Sequence, residues 1–320
     1  MNFESAAIAI ARIDTENDAY RVTTARSVDE LCVSISALGL LQAPLLAAGG
    51  EGYTVISGFR RLAAFNRLGF KETPARLVPP SVGGLTLAKL AIAENAFQRP
   101  LNAIESARAL NLLAAHLADA EQLPAAASEL NLPAHPAQID KIRQLCQLPP
   151  PVQAAILEGT VSTPMALELA RWNAPTANRL VALFSDLGVG LNRQREILSL
   201  LMEVARREGF DLLRLMADPP LRNILTDAEL NRTERNTRLV DHLRRRRYPR
   251  LSAAMDRFEE IATAIQAESG IRLTPPKHFE GRAYSACLTF ETLSELRRRV
   301  AGLEKIVHNR LLADFLEKSE

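Results

Sequence analysis

The sequence predicts an α+β chain that is predominantly helical, and three observations predict it. Runs with strand character crowd into the first 80 residues, at 43–47, 53–56 and 73–78. Beyond Gly84 apolar residues recur at steps of three and four almost without a break until Gly270. After Gly270 two short strand patterns return, at 271–273 and 282–290, ahead of one last helical stretch. The order reads as a small mixed N-terminal domain over 1–84, a helical domain with a helix-turn-helix over 85–175, a basic helical region over 176–265, and a small strand–helix domain over 266–320.

The best-defined element is the stretch 53–70, YTVISGFRRLAAFNRLGF. Its first four residues are aromatic and β-branched. Gly58 makes a tight turn, Leu62, Phe65 and Leu68 then fall at helical spacing, and Gly69 stands where a helix ends. Arg60 and Arg61 therefore occupy the first helical turn, where the helix end already carries partial positive charge. An anion held by free backbone N–H groups and two guanidiniums would account for them. The alternative is a pair of solvated arginines on a surface turn.

The flanking elements follow from punctuation. A short strand lies near residues 7–13. Ser27 and Glu30 have capping-box spacing for a helix that stops at Gly39. Residues 48–52 form a hairpin loop. In the helix after Gly84, Leu87, Leu90 and Ala91 share a face, and Glu94 shares it with them. A carboxylate on that face needs a cation, a metal or a donor, an arginine ion pair being the plain structural reading. Pro100 ends the helix, and Asn102 with Glu105 caps the next, which runs to about residue 120. A helix over 121–130, a turn at 131–135 and a helix opened by Pro136 make the helix-turn-helix pattern, with Ile139, Ile142 and Cys146 inward and Gln138, Lys141 and Gln144 outward. Thr163 caps a helix with Pro164 at its first position, and Trp172 belongs to a core.

Composition narrows the class. The chain has 320 residues, 47% hydrophobic, with a formal net charge of only +2, so any basic surface is local. Cys32, Cys146 and Cys287 match no metal spacing and read as small buried hydrophobes in a reducing cytosol. The first residues have no basic start and a short apolar run, and no stretch is long enough to span a bilayer. The expectation is a cytoplasmic protein with no membrane partner.

Residues 28–110 resemble ParB-type chromosome and plasmid partition proteins. The resemblance rests on Ser34-Ile35, Gly39, Gln42 and Pro44, on Gly58-Phe59-Arg60-Arg61, and on Glu94-Asn95-Ala96-Phe97-Gln98-Arg99 followed by Leu101-Asn102 and Glu105. Leu148-Pro149, Val152 and Glu158-Gly159 continue it past the helix-turn-helix. Phe59 stands where the family usually has an acid, and Glu94 to Gln98 carries one extra residue. The resemblance implies CTP with Mg2+ as cofactors. It implies Gly58, Phe59, Arg60, Arg61, Asn95 and Arg99 as nucleotide-binding residues, Glu94 and Asn95 as magnesium ligands, and Glu94 as catalytic in CTP hydrolysis to CDP and phosphate. It further implies a double-stranded DNA partner met by His135, Gln138, Lys141 and Arg143, a nucleoid-associated location, and a ParA-like ATPase partner, although only Arg12 precedes Asp14 where that partner engages a basic tail.

Two further surfaces belong to the reading. Between residues 222 and 250 stand nine arginines against four acids, on a helix with Thr226 and Glu229 at capping-box spacing. Arg244, Arg245, Arg246 and Arg247 are consecutive, and their mutual repulsion calls for an anion, which DNA phosphates would supply. In the final helix, capped by Thr292, residues Leu293, Leu296, Val300, Leu303 and Val307 form a two-heptad seam, the basis for a homodimer. The whole reads as a CTP-dependent DNA clamp acting in DNA segregation; the alternative is a DNA-binding regulator or partition adaptor without nucleotide turnover. No acid or histidine cluster supports a metal nuclease.

Overall fold

The computed structural model describes residues 2–276, 279, 281 and 283–317 and divides into two compact units, Met1–Arg195 and Glu196–Glu320. The start of the strand expected at 282–290 lies outside the described residues.

The first unit begins with a five-stranded mixed sheet. Its strands are β1 (Glu4–Ala9), β2 (Ile13–Asp14), β3 (Leu45–Gly49), β4 (Gly52–Ser57) and β5 (Glu72–Val78), in the spatial order β1-β5-β3-β4-β2. The β3–β4 hairpin and the β1–β5 pair are antiparallel, while β3–β5 and β2–β4 are parallel. Both faces are covered. Leu46 and Val55 point to the side where α2 (Phe59–Arg67) lays down Phe59 and Leu62. Leu45 and Ile56 point to the other side, against Ala91 of α3 (Gly84–Ala96). These four sheet residues are at most 1% exposed, and each buried side chain of this size contributes roughly 1.5–3 kcal/mol. Helix α1 (Asp29–Leu38) packs Ile35 against Ala64 and Phe65 of α2.

A helical layer follows: α4 (Ala103–His116), α5 (Leu123–Ser128), α6 (Pro136–Arg143), α7 (Pro150–Leu157), α8 (Thr163–Leu169) and α9 (Ala174–Leu187). Ala109, Leu110 and Leu113 of α4 share one core with Ala126 and Ala127 of α5 and Ile139 of α6. The division between units falls within α10 (Leu191–Glu208). The second unit then contains α11 (Leu212–Met216), α12 (Pro219–Thr226), α13 (Arg232–Arg247), α14 (Pro249–Ser269), an antiparallel pair β6 (Arg272–Thr274) and β7 (Ser285–Cys287), α15 (Leu293–Val307) and α16 (Arg310–Glu317). The fold is α+β and predominantly helical, as the sequence predicts.

Several local expectations are corrected. Ser27 does not cap α1. The helix starts at Asp29 behind Val28, and the Ser27 hydroxyl turns to the Asp29 carboxylate at 3.0 Å. The strand expected at 43–47 begins two residues later, because the carbonyls of Gln42 and Ala43 are turned to Arg61 instead. The helix expected to reach 120 stops at His116. Thr163 is the first helical residue, with Ser162 ahead of it. Thr226 closes α12, so the basic helix is capped by Asn231 and Glu234, whose reciprocal box is complete. Trp172 is only partly buried, and Cys287 is exposed rather than core. The helix at 293–307 is followed by another, α16, whose Phe315 fills the small core beside Phe258 and Ile306.

Candidate functional site

The β4–Gly58–α2 turn is built as its residues require. Gly58 has φ +96°, and a Cβ there would stand 2.8 Å from Pro44 Cβ and 2.9 Å from its Cα. Both the left-handed backbone and the close approach demand glycine. The turn delivers Phe59, Arg60 and Arg61 as the first three residues of α2, whose backbone N–H groups have no partner within the helix.

Around this turn lies a cavity of about 400 Å3. Gly58, Phe59, Arg60, Arg61, Glu94, Asn95 and Arg99, the whole set that the sequence reading joins, line it together. Arg60 donates through Nε and Nη2 to the Ser27 carbonyl at 2.9 and 2.7 Å. Arg61 donates through Nη1 to the carbonyls of Gln42 and Ala43 at 3.0 and 3.2 Å. Among the described residues neither has a carboxylate within ion-pair distance. Burial pushes the Arg61 pKa down, with Glu94 opposing that and Arg76 adding to it. Two cations at a helix N-terminus thus hold only neutral acceptors, the arrangement that an anion completes.

The other members are engaged. Glu94 accepts from Arg76 Nη2 at 2.8 Å, both side chains being largely shielded from solvent. Asn95 donates Nδ2 to the Ala91 carbonyl at 2.9 Å. Phe59 is 9% exposed, its ring lying in the sheet core with the Arg21 guanidinium 5.4 Å from its centre, so its backbone N–H is what it offers an anion. Mg2+ takes one or two protein carboxylates and keeps several waters, so Glu94 beside Asn95 fits that modest demand. No group of three or more His, Cys, Asp or Glu residues suited to a metal occurs among the described residues.

The residue that the sequence reading undervalued is Glu105. It is 0% exposed and sits under the cavity-lining Arg99, which grips it with Nη1 to Oε2 and Nη2 to Oε1, both 2.7 Å. It also accepts from Thr24 N at 3.0 Å, Thr24 Oγ1 at 3.3 Å and Asn102 N at 3.2 Å. Burial alone would raise its pKa; Arg99, Thr24 and Asn102 outweigh burial and lower it to about 2. The capping-box spacing was visible in sequence, but its burial and its arginine were not. Gln42, Ser34, Thr23, Ser57 and Gln98 also line the cavity, and Ser34 and Gln42 stand in the motif that carries the resemblance.

In the helical layer, His135, Gln138 and Lys141 are exposed on α6 and its N-terminal boundary. Gln138 and Lys141 border a second cleft with Thr163, Pro164 and Arg171. Arg143 is committed differently, its Nε donating to Asn111 Oδ1 of α4 at 2.9 Å while Asn111 Nδ2 donates to the Arg143 carbonyl at 3.1 Å.

In the second unit the four consecutive arginines find their anions within the chain. Arg244 pairs with Glu196 at 2.5 Å and Arg245 with Asp256 at 3.0 Å. Arg246 grips Glu208 and Asp218, and Arg247 grips Glu203. The repulsion argument for an external anion is therefore answered by the protein's own carboxylates. The two halves differ: side chains of Arg244 and Arg245 are 54% and 60% exposed, those of Arg246 and Arg247 19% and 34%.

The model of the ParB N-terminal domain matches residues 3–96. The probable chromosome 1-partitioning protein ParB of Deinococcus radiodurans is 28% identical over 194 residues, 61% of this chain and 64% of its own length. The chromosome-partitioning protein ParB of Myxococcus xanthus is 31% identical over 133 residues, 42% of this chain and 43% of its own. The chain thus spans less than two thirds of either curated relative. Among solved structures, the C-terminally truncated chromosome-partitioning protein ParB from Caulobacter crescentus complexed with CTP-gamma-S is 21% identical over 57% of this chain and 98% of that one, with a TM-score of 0.25. Residues 3–96 thus match the ParB N-terminal domain, and the chain is similar to ParB partition proteins over part of its length.

Proposed function

We propose that this chain is a CTP-dependent, DNA-binding partition protein that works as a homodimeric clamp in DNA segregation. The observation that carries the nucleotide part is that, among the described residues, Arg60 and Arg61 pair with nothing but carbonyls, at the N-terminus of α2 and facing one cavity. The ParB resemblance supplies CTP as the anion.

In this reading the first-turn N–H groups of α2 and the two guanidiniums hold the phosphates, exchanging carbonyl partners for charge-assisted bonds. Glu94 and Asn95 would hold Mg2+, which supplies charge neutralisation on the phosphates as the bond to the terminal phosphate breaks. Glu94 would have to release Arg76 in part to do so. Arg61, already near Glu94 and Arg76, is placed to bridge the phosphates to that pair. Gln138 and Lys141 face outward where a recognition helix reads base edges, with His135 at its N-terminal boundary. Arg143 braces that helix on α4, and the exposed Arg244 and Arg245 supply sequence-independent phosphate contact. A ParA-like ATPase partner and a nucleoid location follow from the same family reading.

One observation favours the alternative of a DNA-binding regulator without nucleotide turnover. Arg60, Arg61, Glu94 and Asn95 all have partners inside the chain, so the cavity is self-satisfied as it stands. Calorimetric titration of the full chain with CTP and Mg2+, with and without duplex DNA, separates the two. Micromolar binding supports the switch; no affinity below the millimolar range makes Arg60 and Arg61 turn-stabilising residues and leaves the regulator.

A further inference from the structure

We infer that Glu105 is a positioning residue for the nucleotide cavity: it shares Arg99 with the bound phosphates, so that ligand and the buried cap of α4 compete for one guanidinium. This rests on the nucleotide reading above and adds its regulation.

The geometry is lopsided in a way that an ordinary structural pair is not. The carboxylate is wholly buried, whereas the Arg99 side chain is 47% exposed and lines the cavity beside Asn95 and Gln98. Arg99 belongs to the connection 97–102 between α3 and α4, with no helical hydrogen bonds of its own to hold it there beyond the single turn onto Asn95. Every other group on Glu105 is neutral: Thr24 N and Oγ1, and Asn102 N. Thr24 is itself tied to the cap, since Asn102 Nδ2 donates to its hydroxyl at 2.9 Å. Among the described residues Arg99 is thus the single charged partner of a buried carboxylate, and it stands at the edge of a site that otherwise concentrates phosphate donors.

Taking the guanidinium away has a definite consequence. A buried carboxylate left with neutral donors is costly, and it relieves the cost by binding a proton or by moving. Either response is felt at the first turn of α4. That helix carries Asn111, which holds the last residue of α6, Arg143, by two hydrogen bonds. The cap is therefore where occupancy of the cavity reaches the helix that faces outward with Gln138 and Lys141. The effect is reciprocal: whatever holds α4 in place keeps Arg99 on Glu105 and weakens the ligand.

The test uses the full chain with CTP and Mg2+ as probe, comparing wild type with Glu105→Gln. Glutamine keeps the shape and the acceptor of the cap and removes the charge that competes for Arg99. The variant is expected to bind CTP about tenfold more tightly, a coupling of ordinary size. A second measurement needs no variant: NMR of carbon-13-labelled glutamate carboxyls in the wild type. Without CTP, Glu105 stays ionised between about pH 4 and 6; with CTP saturating, one additional carboxyl should titrate in that range. CTP binding with the same affinity in both proteins and no additional titrating carboxyl overturns the shared-arginine device and leaves the nucleotide site standing. Absence of CTP binding in the wild type overturns both.

Discussion

Arg76 on β5 holds Glu94 on α3 at 2.8 Å, so the carboxylate that the sequence marks as needing a cation, a metal or a donor already has a cation. The pair is a competitor for any metal at Glu94. Glu94→Gln leaves an oxygen ligand and the helix face intact but removes the charge. It is expected to bind CTP within a few-fold of wild type and to release phosphate at least about tenfold more slowly, by the cost of a lost charge contact in the transition state. Arg61→Ala should instead abolish CTP binding, since it removes a phosphate donor. Affinity by calorimetry and turnover by phosphate release must separate the two variants; identical behaviour would remove Glu94 from the chemistry.

The Glu105 cap gives an acid-stability prediction with a fixed sign. Its pKa is lowered to about 2 in the folded chain against an ordinary value of 4.5. A group with a depressed folded pKa contributes stability above its unfolded pKa and loses it as pH falls through the folded one. Urea midpoints of the wild type should therefore drop between about pH 4.5 and 2 through this group. Glu105→Gln should flatten that part of the profile. A variant with the full wild-type slope would show that the carboxylate is not held as the structure has it.

How far this was legible in sequence depends on the range of the interactions. The β4–Gly58–α2 turn was readable because strand character, a glycine and helical spacing fall within eighteen consecutive residues. Glu94 could be seen to need a partner, but nothing local selects Arg76 from the chain's many arginines. Capping boxes show the limit well. Asn102 and Glu105 form one, whereas Ser27 and Thr226 have the same spacing and do not. Thr226 is already the last residue of α12, so the pattern counts only if the preceding helix has ended, which is a tertiary fact.

The arginine run divides into two roles. Arg246 is mostly buried and grips two carboxylates, Glu208 on α10 and Asp218 just ahead of α12. Arg246→Ala should lower stability by about 2 kcal/mol, the scale of hydrogen bonds to charged groups, seen as a fall in Tm. Arg244 and Arg245 are exposed and each holds one carboxylate, a pairing worth little. Replacing both with alanine should leave Tm nearly unchanged while weakening binding to any duplex and flattening the salt dependence by about one unit per lost phosphate contact. Unaltered binding to random DNA across a salt titration would confine all four to the fold.

On α6, Gln138 and Lys141 are outward and Arg143 is not free in the same way. Replacing Gln138 and Lys141 with alanine should erode preference for the true site by about 1–3 kcal/mol per lost base contact, with little change on random DNA. DNA recovered from cells and sequenced supplies the site for that measurement. Equal loss on both kinds of DNA would make these residues phosphate contacts.

The last prediction concerns assembly and rests on α15 having two apolar faces. Its inner face puts Gly302 and Ile306 on the small core with Ile271, Phe258 and Phe315. Its seam points elsewhere: Leu293 and Val307 are 73% exposed and Val300 is 48% exposed, while Leu303 alone is drawn toward that core. Three of the five seam positions, left open on a helix that already has a core, are what a second copy would cover. Truncation after Gly270 is a poor test, because it also strips Ile306 and Phe315 from Phe258, Ile261 and Ile265 and exposes that apolar surface. Leu293→Glu with Val300→Glu is the cleaner one. Both positions are solvent-facing in the monomer, so the charges cost its fold little, yet in a seam between two copies they would be charges buried among apolar side chains. Light scattering should show a dimer for the wild type and a monomer for the double variant, with Tm measured at low concentration unchanged. A wild-type chain that is monomeric at micromolar concentration would end the homodimer reading, and with it the clamp.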